Sequence, residues 1–202
     1  MKERAMTFMI GQKFPTCTTA AVMPDGTINN DFSVTTYAKG KPCVVFFYPL
    51  DFTFVCPTEL VAFHKAMKDF EKRGCKVVAA SVDSVFSHSA WRQTPLNKGG
   101  IGEVDYPMLS DIKRELSTQL GILTPGAVTY RASYLIDEQG TVRHMVINDL
   151  PLGRSVEEML RMVDALQFHQ QHGEVCPANW KQGEQAIKTT SESVGQYLAN
   201  QH

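Results

Sequence analysis

Residues 43–60 read CVVFFYPLDFTFVCPTEL, and this stretch decides the fold class. Its first six residues, Cys43 to Tyr48, are apolar, β-branched or aromatic without interruption. Such a run predicts a strand buried on both faces, as the strands of a parallel sheet are. From Pro57 to Arg73 apolar residues recur at helical spacing, and Gly74 follows as a stop signal. The pattern therefore predicts a helix that begins at or beside Cys56.

A second buried strand follows this helix. The segment KVVAASV, residues 76–82, is again apolar and β-branched, so residues 44–82 predict a strand, a helix and a strand. A unit of this kind forms a right-handed crossover between two parallel strands, which places the chain in the α/β class. The further predicted elements are helices near 86–93, 111–120 and 155–171, a short strand at 106–109, and a hairpin of strands 130–136 and 141–147. From residue 174 the chain is polar and lacks apolar periodicity, which predicts an extended C-terminal arm.

The composition disfavours several classes of protein. With 202 residues, 43% of them hydrophobic, the chain can form one substantial domain with an appendage. Its 20 basic and 21 acidic residues leave a formal net charge of −1, which favours neither nucleic acid nor an anionic membrane as a partner. The N-terminus has no apolar segment of signal-peptide length, and no later run approaches the ~18 apolar residues of a membrane span. The expected location is the cytoplasm.

The five cysteines point to thiol chemistry. They are odd in number, widely spaced and without a CxxC pair, which disfavours both a structural disulfide framework and a zinc site. Cys43, within a strand, and Cys75, at a helix-to-strand turn, are interpreted as small buried residues. Cys17 is interpreted as an incidental loop thiol. Cys56 stands apart because it lies at a predicted helix start.

A helix start favours ionisation of the Cys56 thiol. Unpaired backbone N–H groups and the positive end of the helix dipole stabilise a thiolate, and Pro57 suits the first helical position because it has no N–H to leave unpaired. Thr53 can place a hydroxyl beside the sulfur to orient a small polar substrate, and Pro49 can shield the site from bulk water. The residues alone leave a second interpretation equally open, in which Cys56 is only a buried apolar residue.

The segment PLDFTFVCPTE resembles the active-site motif of the peroxiredoxins, whose pattern Pro-x-x-x-Thr-x-x-Cys is carried by Pro49, Thr53 and Cys56. The resemblance covers nearly the whole chain and points to the typical two-cysteine group, which includes the alkyl hydroperoxide reductase C subunits. The other segments that carry it are SVDSVFSHSAW at 81–91, YRASYLID at 130–137, NDLPLGRSVEE at 148–158 and HGEVCPANW at 172–180. It implies a thioredoxin-like fold, with a central mixed sheet flanked by helices.

The resemblance also implies a reaction. Cys56 would be the peroxidatic thiolate, which attacks the O–O bond of hydrogen peroxide or an organic hydroperoxide and becomes a sulfenic acid. Thr53 would hold the peroxide by a hydrogen bond, and Arg131 would stabilise the thiolate and the departing oxygen. No metal, haem or flavin is expected. Without the resemblance, Arg131 is interpreted as a surface arginine on an edge strand.

Glu59 lies one helical turn after Cys56 and has the wrong charge for a thiolate site. The resemblance implies that Glu59 pairs with Arg154 and so orients arginines rather than facing the sulfur. A solvated glutamate in the first helical turn, favoured by the helix dipole, explains Glu59 equally well.

Cys176 lies on the polar arm, where the residues alone predict an exposed thiol. The resemblance instead implies a resolving cysteine, which attacks the sulfenic acid on Cys56 of the other subunit to form an intersubunit disulfide. A homodimer is then the minimal unit, and the family's ring of five dimers, a decamer, is compatible with it. A dithiol reductant would restore the thiols, and a thioredoxin and a flavoprotein reductase fit equally well. The predicted division is a peroxidase domain over residues 1–172 and an arm over residues 173–202.

The sequence admits three other functions. A metal site at His169 and His172 lacks further ligands at suitable spacing. A thioredoxin-type oxidoreductase requires a CxxC pair, and Thr53 occupies the position of its other cysteine. A holdase chaperone or redox relay stays open until peroxide consumption is measured. The segment Gly99–Gly102 is close to a family element that promotes over-oxidation, whereas Tyr197-Leu198 departs from the family's Tyr-Phe pair, so intermediate over-oxidation is expected.

Overall fold

The computed structural model describes residues 9–200. The chain divides into two compact units, of which the first ends at Val156 and the second begins at Glu157. The predicted division between residues 172 and 173 stays a prediction. Residues 1–8, which belong to the stretch expected to contain no signal peptide, lie outside the described part of the chain. Within residues 9–200, no helix is both long enough and apolar enough to cross a bilayer.

A mixed sheet of seven strands organises the first unit. The strands are β1 (Thr19–Val22), β2 (Ile28–Phe32), β3 (Cys43–Phe47), β4 (Lys76–Ser81), β5 (Met108–Ser110), β6 (Arg131–Ile136) and β7 (Val142–Asn148). Their spatial order is β2-β1-β5-β4-β3-β6-β7. The three central strands β3, β4 and β5 are parallel, and every other neighbouring pair is antiparallel. The predicted α/β class and the hairpin of β6 and β7 are thus confirmed.

The predicted crossover from residue 44 to residue 82 is confirmed. All five residues of β3 are buried, and β3 pairs with β4 in parallel. Two helices connect these strands, α2 (Cys56–Lys65) and α3 (Met67–Lys72). The prediction of one helix over Pro57–Arg73 is therefore wrong at Ala66, whose ψ of 0° tightens the turn so that its N–H reaches several carbonyl groups of the preceding turn. Apolar periodicity continues across this break, so the sequence pattern does not reveal it.

Three more helices complete the first unit. They are α1 (Val34–Ala38), α4 (Val85–Gln93) and α5 (Glu115–Leu120), with a short 3-10 helix at Leu96–Lys98. Helix α5 begins later than predicted because Arg114 adopts a left-handed backbone conformation, with φ of 58°. The Asp111 carboxylate, at the predicted start, instead accepts hydrogen bonds from the N–H groups of Leu116 and Ser117.

Side chains of β3 alternate between two layers of the core. Val45 and Phe47 belong to the buried cluster on one face of the sheet. Phe46 lies on the other face, where its ring stacks on Phe63 of α2 with centroids 4.0 Å apart. Because the helix packs directly on this central strand, its N-terminus is held close to the end of β3.

The second unit contains α6 (Val156–His172), which spans the boundary between the units, and α7 (Ser191–Ala199). Trp180 is buried within the described unit, where its ring lies 4.9 Å from that of Phe168 and its carbonyl accepts a hydrogen bond from Arg161. The predicted C-terminal arm contains a helix, α7, whose first turn is capped by the Thr190 hydroxyl, an acceptor for the Ser193 N–H.

Candidate active site

Cys56 is the first residue of α2 and is fully buried. Pro57 lies in the first turn, as predicted, where a residue without an N–H leaves no donor unpaired. The chain reaches this point from the end of β3 through residues 48–55. The unpaired N–H groups of a helix start and its dipole favour negative charge there.

Arg131 contacts the sulfur directly. Its Nη1 donates to Cys56 Sγ at 3.3 Å and to Glu59 Oε2 at 2.8 Å, while its Nε donates to the Leu150 carbonyl at 2.7 Å. Only 4% of Arg131 is exposed, and β6, which it begins, lies between β3 and β7. The interpretation of Arg131 as a surface arginine on an edge strand is therefore wrong. Its guanidinium is held at the thiol by the Glu59 carboxylate and the Leu150 carbonyl.

Glu59 orients two arginines. Its Oε1 accepts from the backbone N–H of Arg154 at 3.0 Å and from Arg154 Nε at 2.9 Å, and its Oε2 accepts from Arg154 Nη2 at 2.9 Å. The same Oε2 accepts from Arg131. Because Glu59 is only 4% exposed, the interpretation as a solvated glutamate is wrong, and the implied pair with Arg154 is present.

Arg154 ties this cluster to the sheet. Its Nη1 donates to the carbonyls of Phe47 and Ala132 at 2.7 and 2.9 Å, and its guanidinium lies over the Phe46 ring. Burial lowers the pKa of Arg154 from its ordinary value, and the Glu59 carboxylate opposes that shift. The donors of this buried cation are thus committed to fixed acceptors of the protein.

The charges of the buried cluster leave an excess of one positive charge. Two guanidinium groups, Arg131 and Arg154, face a single carboxylate, Glu59. A buried excess charge is costly unless an opposite charge lies nearby, and besides Glu59 the ionisable group in contact with Arg131 is the Cys56 thiol. The Cys56 sulfur is therefore the group that lies against the excess positive charge of the cluster.

Thr53 and Pro49 belong to the segment that precedes Cys56. The Thr53 hydroxyl donates to the Leu50 carbonyl at 2.9 Å, so its proton is committed and its oxygen can accept a further hydrogen bond. Thr53 is half-buried and Pro49 is buried. Both are therefore placed on the chain that leads into the thiol site, with Pro49 adding no backbone donor.

A buried polar network that the sequence did not predict holds the same segment. Asp51 accepts hydrogen bonds from the hydroxyls of Tyr48 and Ser87 at 2.8 and 2.7 Å, and its Oδ2 lies 2.8 Å from His88 Nδ1. Its backbone N–H donates to Asp83 Oδ2 at 2.9 Å. The one signal available was a lone aspartate within an otherwise apolar run.

Comparisons with known proteins show which family the chain belongs to. Residues 10–145 match the AhpC/TSA family, and residues 165–200 match the C-terminal domain of 1-Cys peroxiredoxin. The chain belongs to the peroxiredoxins, in the AhpC/TSA family. It is 48% identical over 191 residues to alkyl hydroperoxide reductase C of Buchnera aphidicola subsp. Schizaphis graminum, covering 94% of this chain and 96% of that protein. It is 47% identical over 193 residues to peroxiredoxin-1 of Gallus gallus, covering 95% and 96%.

A solved peroxiredoxin has the same fold. The reduced 2-Cys peroxiredoxin of Plasmodium vivax superposes with a TM-score of 0.92 at 42% identity, covering 96% of this chain and all 100% of that one. The predicted thioredoxin-like fold, the peroxiredoxin family and the peroxidase class are thereby confirmed.

Three other thiols of this peroxiredoxin lie in less favourable surroundings for ionisation. Cys43 and Cys75 are buried, as predicted, and burial raises the pKa of Cys75 to about 12 and that of Cys43 well above its ordinary value. Cys17 is half-buried, and burial together with the Asp111 carboxylate raises its pKa. These thiols are therefore neutral near pH 7 and are weak nucleophiles.

Cys176 lies in the second unit and is neither fully exposed nor buried. Its Sγ donates a weak hydrogen bond to the Ala165 carbonyl at 3.6 Å. Burial raises the pKa of Cys176, and the Arg161 guanidinium opposes the shift. The structure thus brings Cys56, Glu59, Arg131 and Arg154 together in the first unit and places Cys176 in the other.

Proposed function

We propose that this peroxiredoxin reduces hydrogen peroxide and small organic hydroperoxides through a thiol cycle in which Cys56 is the peroxidatic cysteine. The observation that carries the proposal is the 3.3 Å hydrogen bond from Arg131 to Cys56 Sγ at the buried start of α2. The thiols of Cys43, Cys75 and Cys176 instead donate to backbone carbonyls.

In the first step, the Cys56 thiolate attacks one oxygen of the peroxide. An S–O bond forms, the O–O bond breaks, and the departing hydroxide or alkoxide takes a proton to leave as water or an alcohol. Arg131 stabilises the thiolate before the attack and the negative charge on the departing oxygen during it. The Thr53 oxygen accepts a hydrogen bond from the O–H of the peroxide, and Pro49 shields the site from bulk water.

In the second step, the thiol of Cys176 of the partner subunit attacks the sulfenic acid on Cys56. An S–S bond forms and water leaves, so the two thiols together supply the two electrons that the peroxide takes up. Two cysteines can form a disulfide only when their Cα atoms come within about 7 Å. The start of α2 must therefore unwind locally and the arm over residues 173–202 must loosen during each turnover.

The remaining partners follow from this cycle. An external dithiol protein, a thioredoxin or a flavoprotein reductase, reduces the exposed disulfide by thiolate attack. The working unit is a homodimer, which the family's decameric ring would repeat five times, and the location is the cytoplasm. Relatives named alkyl hydroperoxide reductase C support a hydroperoxide as substrate. The thiols complete the reaction without a metal, haem or flavin in the chain.

Peroxide consumption tests the role of Cys56. Reduced Cys56→Ser is mixed with hydrogen peroxide and a dithiol reductant, and Cys17→Ser serves as the matched control because Cys17 is a half-buried loop thiol. The expected result is loss of consumption to the background rate for Cys56→Ser and the wild-type rate for Cys17→Ser. Equal consumption by Cys56→Ser and wild type would overturn the proposal, and the chaperone or relay function would replace it.

A further inference from the structure

The Tyr106 hydroxyl makes a hydrogen bond to the helix that must unwind. It donates to the Leu60 carbonyl at 2.7 Å, and Leu60 is the fifth residue of α2, directly after Glu59. Tyr106 is fully buried, and burial raises the pKa of its phenol well above the ordinary value. The phenol is therefore a neutral hydrogen-bond donor under all working conditions.

A second contact lies one turn further along α2. His64 Nδ1 is 3.4 Å from Asp105 Oδ2, and residues 60 and 64 share one face of the helix. The Asp105 side chain is largely exposed, so this contact contributes little by itself. It shows that the dipeptide Asp105-Tyr106 follows the face of α2 over one turn, from Leu60 to His64.

The segment that carries Tyr106 is anchored independently of α2. Trp91 Nε1 of α4 donates to the Gly99 carbonyl at 2.7 Å, and Arg92 Nη1 donates to the Val104 carbonyl at 3.0 Å. A Cβ atom on Gly100 would lie 1.7 Å from the Thr94 carbonyl oxygen, so the backbone of the loop packs against the end of α4 with no room for a side chain. Tyr106 therefore extends from a fixed support toward a helix that moves.

Tyr106 also belongs to the aromatic layer beneath the thiol site. Its ring meets Phe46 edge to face at 5.6 Å, and the same Phe46 ring lies under the guanidinium of Arg154. The helix is thus restrained at two successive residues. Glu59 is bound by the two arginines, and the Leu60 carbonyl is bound by Tyr106.

We propose that the Tyr106–Leu60 hydrogen bond sets how fast α2 unwinds after Cys56 is oxidised, and so divides the sulfenic acid between disulfide and over-oxidation. This inference rests on the proposed function. Unwinding lets the partner's Cys176 form the disulfide with loss of water. While α2 stays folded, a second hydroperoxide converts the sulfenic acid to a sulfinic acid and itself becomes water or an alcohol. Tyr106 is a positioning residue, since it touches neither the sulfur nor the peroxide.

Tyr106→Phe tests this inference, because it keeps the ring and removes only the hydroxyl. Tyr134→Phe is the matched control, since Tyr134 is equally buried and its hydroxyl has no hydrogen-bond partner among residues 9–200. Reduced protein is mixed rapidly with hydrogen peroxide, and quenched samples are analysed by intact mass. This separates the rate of Cys56 oxidation, the rate of disulfide formation and the fraction of sulfinic acid at several peroxide concentrations.

For Tyr106→Phe we expect disulfide formation to be roughly 3- to 10-fold faster, as the loss of one buried hydrogen bond predicts. The sulfinic fraction at a given peroxide concentration should fall by the same factor. The rate of Cys56 oxidation should stay at the wild-type value, which would show that the site is intact. Tyr134→Phe should match wild type in all three quantities.

Each other outcome has a distinct meaning. Wild-type rates and sulfinic fractions in Tyr106→Phe would overturn the role of this hydrogen bond and leave the peroxidase proposal standing. Equal acceleration in Tyr134→Phe would also overturn it, because general loosening of the core would then be the cause. Failure of wild-type Cys56 to oxidise would instead overturn the proposed function itself.

Discussion

The tripeptide Val-Cys-Pro occurs twice in this chain, and its two copies stand in different surroundings. At residues 55–57 the cysteine opens a ten-residue helix, is fully buried and accepts a hydrogen bond from Arg131. At residues 175–177 the valine forms an isolated bridge with Ile187, and the half-exposed cysteine donates to the Ala165 carbonyl. The tripeptide is the same, so the difference between the two cysteines lies in their surroundings.

The decisive groups come from distant parts of the chain. Arg131 is 75 residues from Cys56, and Arg154 is 95 residues from the Glu59 carboxylate that it binds. A helix start alone provides only a partial charge, whereas the fixed guanidinium provides a full one. The first cysteine thus lies against a buried cation, whereas the second lies in the other unit and donates to a backbone carbonyl.

Removing the second cysteine should have the largest effect. Cys176→Ser is expected to consume one equivalent of hydrogen peroxide at the wild-type rate and then stop, because Cys56 still reacts but cannot be resolved. Rapid-quench peroxide assays with thioredoxin as the reductant measure both phases. Sustained turnover at the wild-type rate would show that the two copies do not form a working pair.

Removing the charge beside Cys56 should slow the first step strongly. Arg131→Met keeps the length of the side chain and is expected to slow Cys56 oxidation about 10- to 100-fold, as the loss of a hydrogen bond to a charged group predicts. Arg143→Met is the matched control, since Arg143 forms a half-exposed ion pair with Asp137. Stopped-flow oxidation rates that fall equally in both variants would contradict the special role of Arg131.

Neutralising Glu59 should lower the free energy of unfolding. Glu59→Gln leaves two buried guanidinium groups without a carboxylate, so the free energy of unfolding should fall by about 3 kcal/mol. Glu158→Gln, which weakens a surface pair with Arg161, should change it by less than about 1 kcal/mol. Urea denaturation of the reduced proteins, all at the same protein concentration, measures these free energies of unfolding. Equal losses in the two variants would contradict the stabilising role of Glu59 in the buried cluster.

The smallest effect is expected in the second unit. Thr190→Ala removes the hydroxyl that caps α7 and should destabilise this helix by about 1 kcal/mol. Limited proteolysis within residues 191–199 should therefore become a few times faster, with no change in the rate of Cys56 oxidation. A slower oxidation of Cys56 would mean that the arm influences the peroxide site. It would contradict the view that the surroundings of Cys56 and of Cys176 are independent.

The central part of the fold was readable from the sequence. The run of residues 43–48 and the crossover to β4 follow from uninterrupted apolar strands around a periodic helix. The outer strands β1 and β2 were missed, because β2 reads INNDF with four of its five residues exposed and has no apolar pattern to detect. The end of α2 at Ala66 was missed because burial of Phe63, Met67 and Phe70 continues through it.

Only part of the thiol site could be predicted from the sequence. The position of Cys56 at a helix start follows from Pro57 and the apolar spacing after it. The burial of Arg131 and Glu59 does not follow from local sequence, because each charge is tolerated inside only through the other, across 72 residues. The resemblance to peroxiredoxins implied that Arg131 lies at the Cys56 thiol and that Glu59 pairs with Arg154, but it did not give the contact between Arg131 and Glu59. The hydrogen bond of Tyr106 could not be predicted from the sequence for a related reason, since its acceptor is a backbone carbonyl 46 residues away.

The proposed function requires that the cysteines of the two Val-Cys-Pro copies form one redox pair. Fully reduced protein is treated with one equivalent of hydrogen peroxide, its remaining thiols are alkylated, and the products are analysed by intact mass and peptide mapping. The account predicts a covalent dimer in which Cys56 is linked to Cys176. A Cys56 that remains alkylatable, or a link that leaves Cys56 out, would contradict it.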